Sequence, residues 1–475
     1  MDHKLVASLD DVILTCGLRD GMTVDFNHCL RNGDYVVASV MHAIAKAGLR
    51  DIRIFASAIM DGMMEQGLTD LIRQGVISSV EVTGNSGILG RIISHGEFSK
   101  VCRFHTHGGR PRAVMDGDVH IDVSFIAAPT ADPMGNCNGI EGPNAYGSMG
   151  FSMTSARYAD KVVVITDHLV PYPLQRVSID ESLVDYVVKV DAIGTPNGIA
   201  TGIAKPTRDP LALIIAEYAS QTILHSGLLK DGFSYQAGAG GTSIAASNFV
   251  AEQMLQRKIH GSFLLGGITG TGIDMCRNGL FDTALDVQCF DQKAAASLQE
   301  DAWHREISDA CYAAPGGKGG SRSACVDSLD AVVLGTLEVD LDFNCNLVVN
   351  SSGVISGGAG GHSDTAAGAK LSLITAPLRR TRFPTVVKRC TSITTPGKDI
   401  SAVVTEYGVA VNPNQPELRQ RLIHGGVKVV EIQQLQQLVE DMSGIPEAPK
   451  YGDRVVAEVV DRYGCIIDQI HCIAE

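Results

Sequence analysis

The chain contains no stretch of eighteen or so uncharged residues, so no segment has the length and apolarity of a membrane-spanning helix. Long basic runs are absent as well. Its 39 Lys and Arg residues are outnumbered by 53 Asp and Glu, a formal net charge of −14, which sets aside a nucleic-acid backbone as a partner. Twelve cysteines occur without one C-x-x-C pair, and several sit in apolar context; such a set reads as reduced, mostly buried thiols in a cytoplasmic protein. Cofactor signatures are missing too. The pattern G-x-G-x-x-G fails at Ser363 after Gly358 and Gly360 and at Ser243 after Gly238 and Gly240, and neither a P-loop nor a G-x-S-x-G elbow is present. His105 and His107 have a metal-ligand spacing, but no carboxylate or Cys follows at a confirming distance, and no metal is expected.

What the chain has in excess is glycine, 51 residues in 475, concentrated in turns. The segment from Leu329 to Lys370 is the clearest case: a nearly continuous apolar run from Ala331 to Leu337, as in a strand covered on both faces, and then glycine. Between Ser351 and Gly361 five of eleven residues are Gly and four more are Ser or Ala. A backbone so bare can come close to a ligand or turn through positive φ.

The same design occurs earlier. Asp122 and Asp330, Asp132 and Asp340, and Cys137 and Cys345 each stand 208 residues apart (330 − 122), and Arg19–Thr23 matches Lys230–Ser234 upstream. Matches in one order at nearly one offset mean duplication of a domain, with units at 1–225 and 226–475. Strands alternate with helices in both, which predicts an α/β fold with mostly parallel sheets. Expected elements include a helix over Tyr35–Ala47, strands at Ile52–Ala56, Val80–Thr83 and Val162–Thr166, a helix over Pro210–Leu224, a strand opening into a glycine turn at Ser262–Gly270, and a closing hairpin at Arg454–Ile470.

Two loops carry candidate acid-binding groups. His28, Arg31 and Asn32 lie between a strand and a helix, where open α/β sheets place anionic ligands; the alternative is that Arg31 only solvates the helix start. His107, Gly108, Gly109 and Arg110 form a second candidate anion loop, whose alternative is a self-solvated turn.

The order of DGMTV, NHCLRNGD, HGGR, IDVSFIAAPTADPMGNCNG, FLLGGITG, LEVDLDFNCN, GGAGGHSDTAAGAK and VTEYGVAVNP resembles the citrate lyase alpha subunit family over nearly the whole chain. The resemblance implies two tandem CoA-transferase-like domains with a cleft between them. It also implies a reaction, in which citrate displaces acetate from an acetyl thioester. No cofactor would be bound directly; the acyl group would arrive on a phosphopantetheine-type arm of an acyl carrier protein (gamma) subunit, or on CoA, and a citryl-ACP lyase (beta) subunit would follow in an oligomeric assembly. Such chemistry needs a slot for the arm, donors for an oxyanion and a clamp for the acid. Gly357, Gly358, Gly360, Gly361, His362 and Asp364 are the expected slot, Asp364 otherwise serving as a helix cap. Gly266, Gly267 and Thr269 are the expected oxyanion donors, and His28, Arg31, His107 and Arg110 the clamp. Covalent CoA transferases carry a Glu in a Ser-Glu-Asn-Gly turn where this chain has Gly266-Gly267-Ile268-Thr269, so direct transfer without an enzyme thioester is expected. The family's His-rich run is represented by His28 alone, and its N-terminal extension is missing; citramalate is therefore an alternative acid. An isomerase or ligand-sensing role of the same fold is a more distant one.

Overall fold

The computed structural model describes residues 4–85, 87–200, 206–316 and 323–474. Two sheets organise it. In the first, Thr23–Phe26 lies between Ile52–Ala56 and Val123–Ala128; the sheet continues on one side through Lys161–Thr166, Tyr186–Lys189 and Leu5–Val6, and on the other through Ile77–Val82 and Cys102–Phe104. In the second, Tyr235–Ala237 lies between Gly261–Ile268 and Ala331–Gly335, flanked by Phe281–Cys289 and His304–Glu306 on one side and by Leu371–Thr375 and Ala402–Thr405 on the other. Pairing among these strands is parallel throughout.

The strand orders coincide, so the duplication read from sequence is a duplication of topology. It extends to single hydrogen bonds. Asp122 Oδ2 accepts the Thr23 N–H at 2.7 Å, and Asp330 Oδ2 accepts the Ser234 N–H at 2.9 Å. Asp132 closes its turn on the Asn136 side chain at 2.9 Å, as Asp340 does on Asn344 at 3.2 Å.

The apolar run at Ala331 is a strand because both faces are covered. Ala331 and Val333 join Leu371, Leu373, Ala402 and Val404 in one core, while Val332 and Leu334 join Ile374 and Val403 in another. Period-two alternation puts consecutive residues on opposite faces, so a strand with a core on each side needs apolar side chains at every position. The other expected elements are present with shifted ends, among them helices Val36–Lys46 and Pro210–His225 and strands Ile77–Val82 and Gly261–Ile268.

The boundary at 226–475 needs correction at its end. The closing hairpin, Tyr451–Val460 with Ile466–Ile473, pairs with Cys102–Phe104 and completes the first sheet. Without it Cys102–Phe104 would be an open edge. Val456, Ala457, Val459 and Ile470 are buried in the first core, and Glu458 pairs with Arg103 at 2.9 Å. No helix among the described residues is long and apolar enough to cross a membrane.

Asp34, at the entrance to helix Val36–Lys46, is buried and accepts the Val37 N–H at 3.0 Å with no ion pair among the described residues. Burial raises its pKa to about 7. A folded-state pKa above the unfolded value of about 3.9 gives stability that is full below that value and lost as pH rises through 7. Asp34→Asn keeps the accepting oxygen and removes the titration, so its melting temperature is expected to fall less between pH 5 and pH 8 than that of the parent. Parallel slopes for the two proteins in thermal unfolding would contradict this.

Candidate functional site

A cavity of about 560 Å³ opens where the two units meet. The second unit supplies most of its wall: the strand ends at Gln236 to Gly240, Gly267 and Val287 to Phe290, the Leu334–Leu337 bend, the turn from Gly357 to His362, Tyr312, and Arg380. His107 and Phe151 come from the first. The glycine turn is stitched across the boundary, since the Gly360 N–H donates to Thr83 O at 2.8 Å and the His107 N–H to Gly360 O at 2.8 Å. At Gly358 glycine is required for this approach: a Cβ there would lie 2.4 Å from Thr83 O.

Several polar atoms facing this region are buried and unpartnered, a state that folded proteins rarely leave uncompensated. Gln236 donates to the Tyr312 hydroxyl at 3.0 Å, leaving Oε1 free; His362 Nδ1 meets Thr395 Oγ1 at 2.8 Å, leaving Nε2 free. Arg31 Nε is free as well. Its guanidinium stacks 4.4 Å over the ring of Phe290, a wall residue. Gln288 is aimed by a buried knot behind it: Asp286 Oδ1 accepts the Gln288 N–H at 2.8 Å, while Oδ2 binds His304 Nε2 at 3.1 Å and Cys289 Sγ at 2.9 Å. The Gln288 amide donates to His28 Nε2 at 3.2 Å, so His28 is a neutral ring whose other nitrogen donates to Ser57.

The histidines are uncharged. Burial, helped by the charges of Arg110 and Arg31, lowers the His107 pKa to about 3; burial takes that of His362 to about 4 and depresses that of His28 well below the usual range. Cationic clamping of an acid thus falls to arginine. Burial also lowers the pKa of Arg31 to about 10, and among the described residues no carboxylate pairs with it.

Of the residues singled out from sequence, the structure brings together Gly267, Gly357, Gly358, Gly360, Gly361, His362 and His107 on the cavity wall, with His28 and Arg31 immediately behind it. Others are placed elsewhere. Arg110 faces away from the cavity wall: its Nη1 and Nη2 bind Asp25, Asp309 at 3.3 Å, Phe151 O at 3.1 Å and Ser155 Oγ at 3.1 Å, which spends both on structure and leaves only Nε without a partner. Asp364 does not touch the arm slot; it accepts the Thr106 hydroxyl and the Gly108 N–H, each at 2.8 Å, with Arg462 Nε at 3.7 Å, and so ties the units together. That bond also occupies Gly108, and the Gly109 N–H is spent on Thr106 Oγ1 at 2.8 Å. Asn32 accepts the Gly62 N–H at 3.2 Å on the surface. Thr269 caps helix Gly270–Arg277, and Gly266, at φ +104°, packs on the Gln236 side chain. His105 pairs with Glu81 at 2.8 Å in the core, away from His107. Sequence reading missed Gln236, Gln288, Phe290, Tyr312 and Arg380. Gln236 and Gln288 stand at strand ends beside turn residues, the signal that singled out Gly267; the other three carry no local signal.

Tandem α/β units with matching parallel sheets and a glycine-walled cavity at their junction define the class of protein as one of CoA-transferase-like fold. A family model described as "Citrate lyase, alpha subunit" matches residues 2–473. The citrate lyase alpha chain of Escherichia coli K-12 is 43% identical over 474 residues, covering 100% of this chain and 92% of its own. A Streptococcus mutans structure, described as the alpha subunit of citrate lyase in complex with citrate, superposes with a TM-score of 0.96 at 43% identity, covering 100% of this chain and 92% of that one. The malonate decarboxylase alpha subunit of Acinetobacter baumannii shares the fold at a TM-score of 0.67 and 17% identity, covering 92% and 93%. The chain belongs to the citrate lyase alpha subunit family.

Proposed function

We propose that the cavity exchanges the acid of a carrier-bound thioester, acetyl-ACP plus citrate giving citryl-ACP plus acetate. The observation that carries this reading is a wall made of glycine turns and unpartnered polar atoms with no Asp or Glu among the described lining residues. A carboxylate nucleophile is needed to split such an exchange into covalent half-reactions. Here citrate itself supplies it. A citrate carboxylate oxygen attacks the acetyl carbonyl and the C–S bond breaks, leaving a mixed anhydride and a thiolate; the thiolate then attacks the citryl carbonyl and acetate departs. The second hydrogen of the Gln236 amide, the first being given to Tyr312, and the backbone at Gly267 are the donors this reading assigns to the oxyanion, and the unpaired Arg31, with the Gln288 amide on the cavity wall, suits a polycarboxylic acid. The arm belongs to an acyl carrier subunit, with a lyase subunit acting on the product in the same assembly.

The test is initial-rate kinetics of acyl exchange with acetyl donor and citrate, citramalate or acetate as acceptor. Intersecting, sequential patterns with citrate preferred are expected. Parallel, ping-pong lines, or a borohydride-reducible enzyme thioester after incubation with donor alone, would refute direct transfer, and a preference for citramalate would reassign the acid.

A further inference from the structure

The cavity wall carries one cation, Arg380, and no anion among its described residues. Arg380 ends the short strand Arg379–Arg380, which turns through Thr381 at φ +52° into Phe383–Pro384. Its Nη2 donates to Thr336 O at 2.9 Å, which holds the guanidinium against the wall while the residue remains exposed. The residues around Gln236, Gln288, Phe151 and Tyr312 are buried, so Arg380 marks the solvent-facing rim. Two more arginines flank it on the same hairpin: Arg379 is exposed, and Arg382 lies 5.3 Å over the Phe383 ring. Among the described residues no carboxylate forms an ion pair with any of the three. Partial burial also disfavours the Arg380 charge, which the Thr336 carbonyl offsets in part and no carboxylate among the described residues neutralises.

An unpaired arginine fork at the mouth of a slot with no anion in its wall suits a ligand whose anion lies away from its reacting end. Arginine's planar donors match phosphate oxygens in pairs. A thioester on a phosphopantetheine-type arm has that form, with the acyl group at one end and a phosphate at the other. We propose that the Arg379–Phe383 hairpin is the phosphate-binding site for the arm of the incoming thioester, with Arg380 gripping from inside the rim and Arg379 and Arg382 from outside it. The proposal rests on the acyl-transfer reading above and extends it to the recognition of the donor.

The experiment compares acetyl-CoA, acetyl-4′-phosphopantetheine and acetyl-pantetheine as donors to citrate, using the full chain and the variants Arg380→Gln and Arg379→Gln/Arg382→Gln. Titration calorimetry with 4′-phosphopantetheine and with pantetheine runs alongside. In the parent, phosphate is expected to raise kcat/KM and binding about 10-fold or more, the range of a charge-assisted contact. Arg380→Gln should bring the phosphorylated donors down toward acetyl-pantetheine, and the exposed double variant, which keeps the Arg380 bond to Thr336, should do so in part. A rise in the citrate KM that is equal for all donors would overturn the assignment, because the arginine would then read the acid. An equal loss with acetyl-pantetheine would also overturn it. If the parent exchanges acyl groups neither with these donors nor with the acetylated acyl carrier protein, the transfer reading falls, and equal binding of 4′-phosphopantetheine and pantetheine overturns the hairpin assignment separately.

Discussion

Replacing Arg110 by Met is expected to cost about 3–5 kcal/mol of stability, the range for removing one partner of a buried ion pair. The side chain is almost wholly buried between the units and joins Asp25 of the first to Asp309 of the second. Methionine fills much of the volume and pairs with neither carboxylate. Burial already raises both acids, Asp309 to about 7, even with the guanidinium in place. Without it both favour the protonated form more strongly. The loss should therefore be greatest at pH 8, where protonation is most costly, and smaller at pH 5, where Asp309 takes up its proton readily. Chemical denaturation at the two pH values measures this. A variant with parental stability and a raised citrate KM would instead return Arg110 to the acid clamp that its HGGR context suggested.

Gly267→Ala is expected to lower exchange by about 100-fold or more, since misplacing groups by an ångström costs that much in an aligned reaction. A Cβ on Gly267 would lie 1.9 Å from the Phe290 ring, so the ring must leave its place. It then either enters the cavity or abandons its stack with Arg31. Both outcomes disturb the acid end of the site, whereas the fold loses only the 1–3 kcal/mol typical of overpacking. Gly267→Glu, the substitution that restores the residue of the covalent enzymes, meets the same ring and is expected to be inactive by itself. Single-turnover exchange together with a melting curve separates the two effects. Near-parental exchange by Gly267→Ala would show that Phe290 has room to move and that Gly267 has no close role.

His107 shows how a correct local reading can sit beside a wrong one. The HGGR loop was legible as a site because histidine, glycines and arginine stand together at the end of a strand, and His107 does reach the wall. Arg110, three residues on, is one helical turn further and faces Asp25 and Asp309. Both Asp residues are distant in sequence, and nothing local marks them as its partners. Asp364 repeats the case: its place in the first turn of helix His362–Gly368 was foreseen, but its bonds to Thr106 and Gly108 cross between the units.

The sequence by itself determined the duplication, the alternation of strands with helices, the parallel character of the sheets and the family. Each of these is carried by local pattern: apolar runs where a strand is covered twice, glycine where the chain turns, and paired Asp and Asn residues 208 positions apart (344 − 136) that close equivalent turns. Only the tertiary structure decided which sheet the closing hairpin joins, which arginines are spent on buried carboxylates, and that Gln236, Gln288, Phe290, Tyr312 and Arg380 share one cavity. The physical reason is that strand pairing and charge pairing join residues far apart in the chain. Arg110 and Arg380 are the same side chain to a reader of sequence; Asp25 and Asp309 stand beside the one, and no acid among the described residues pairs with the other.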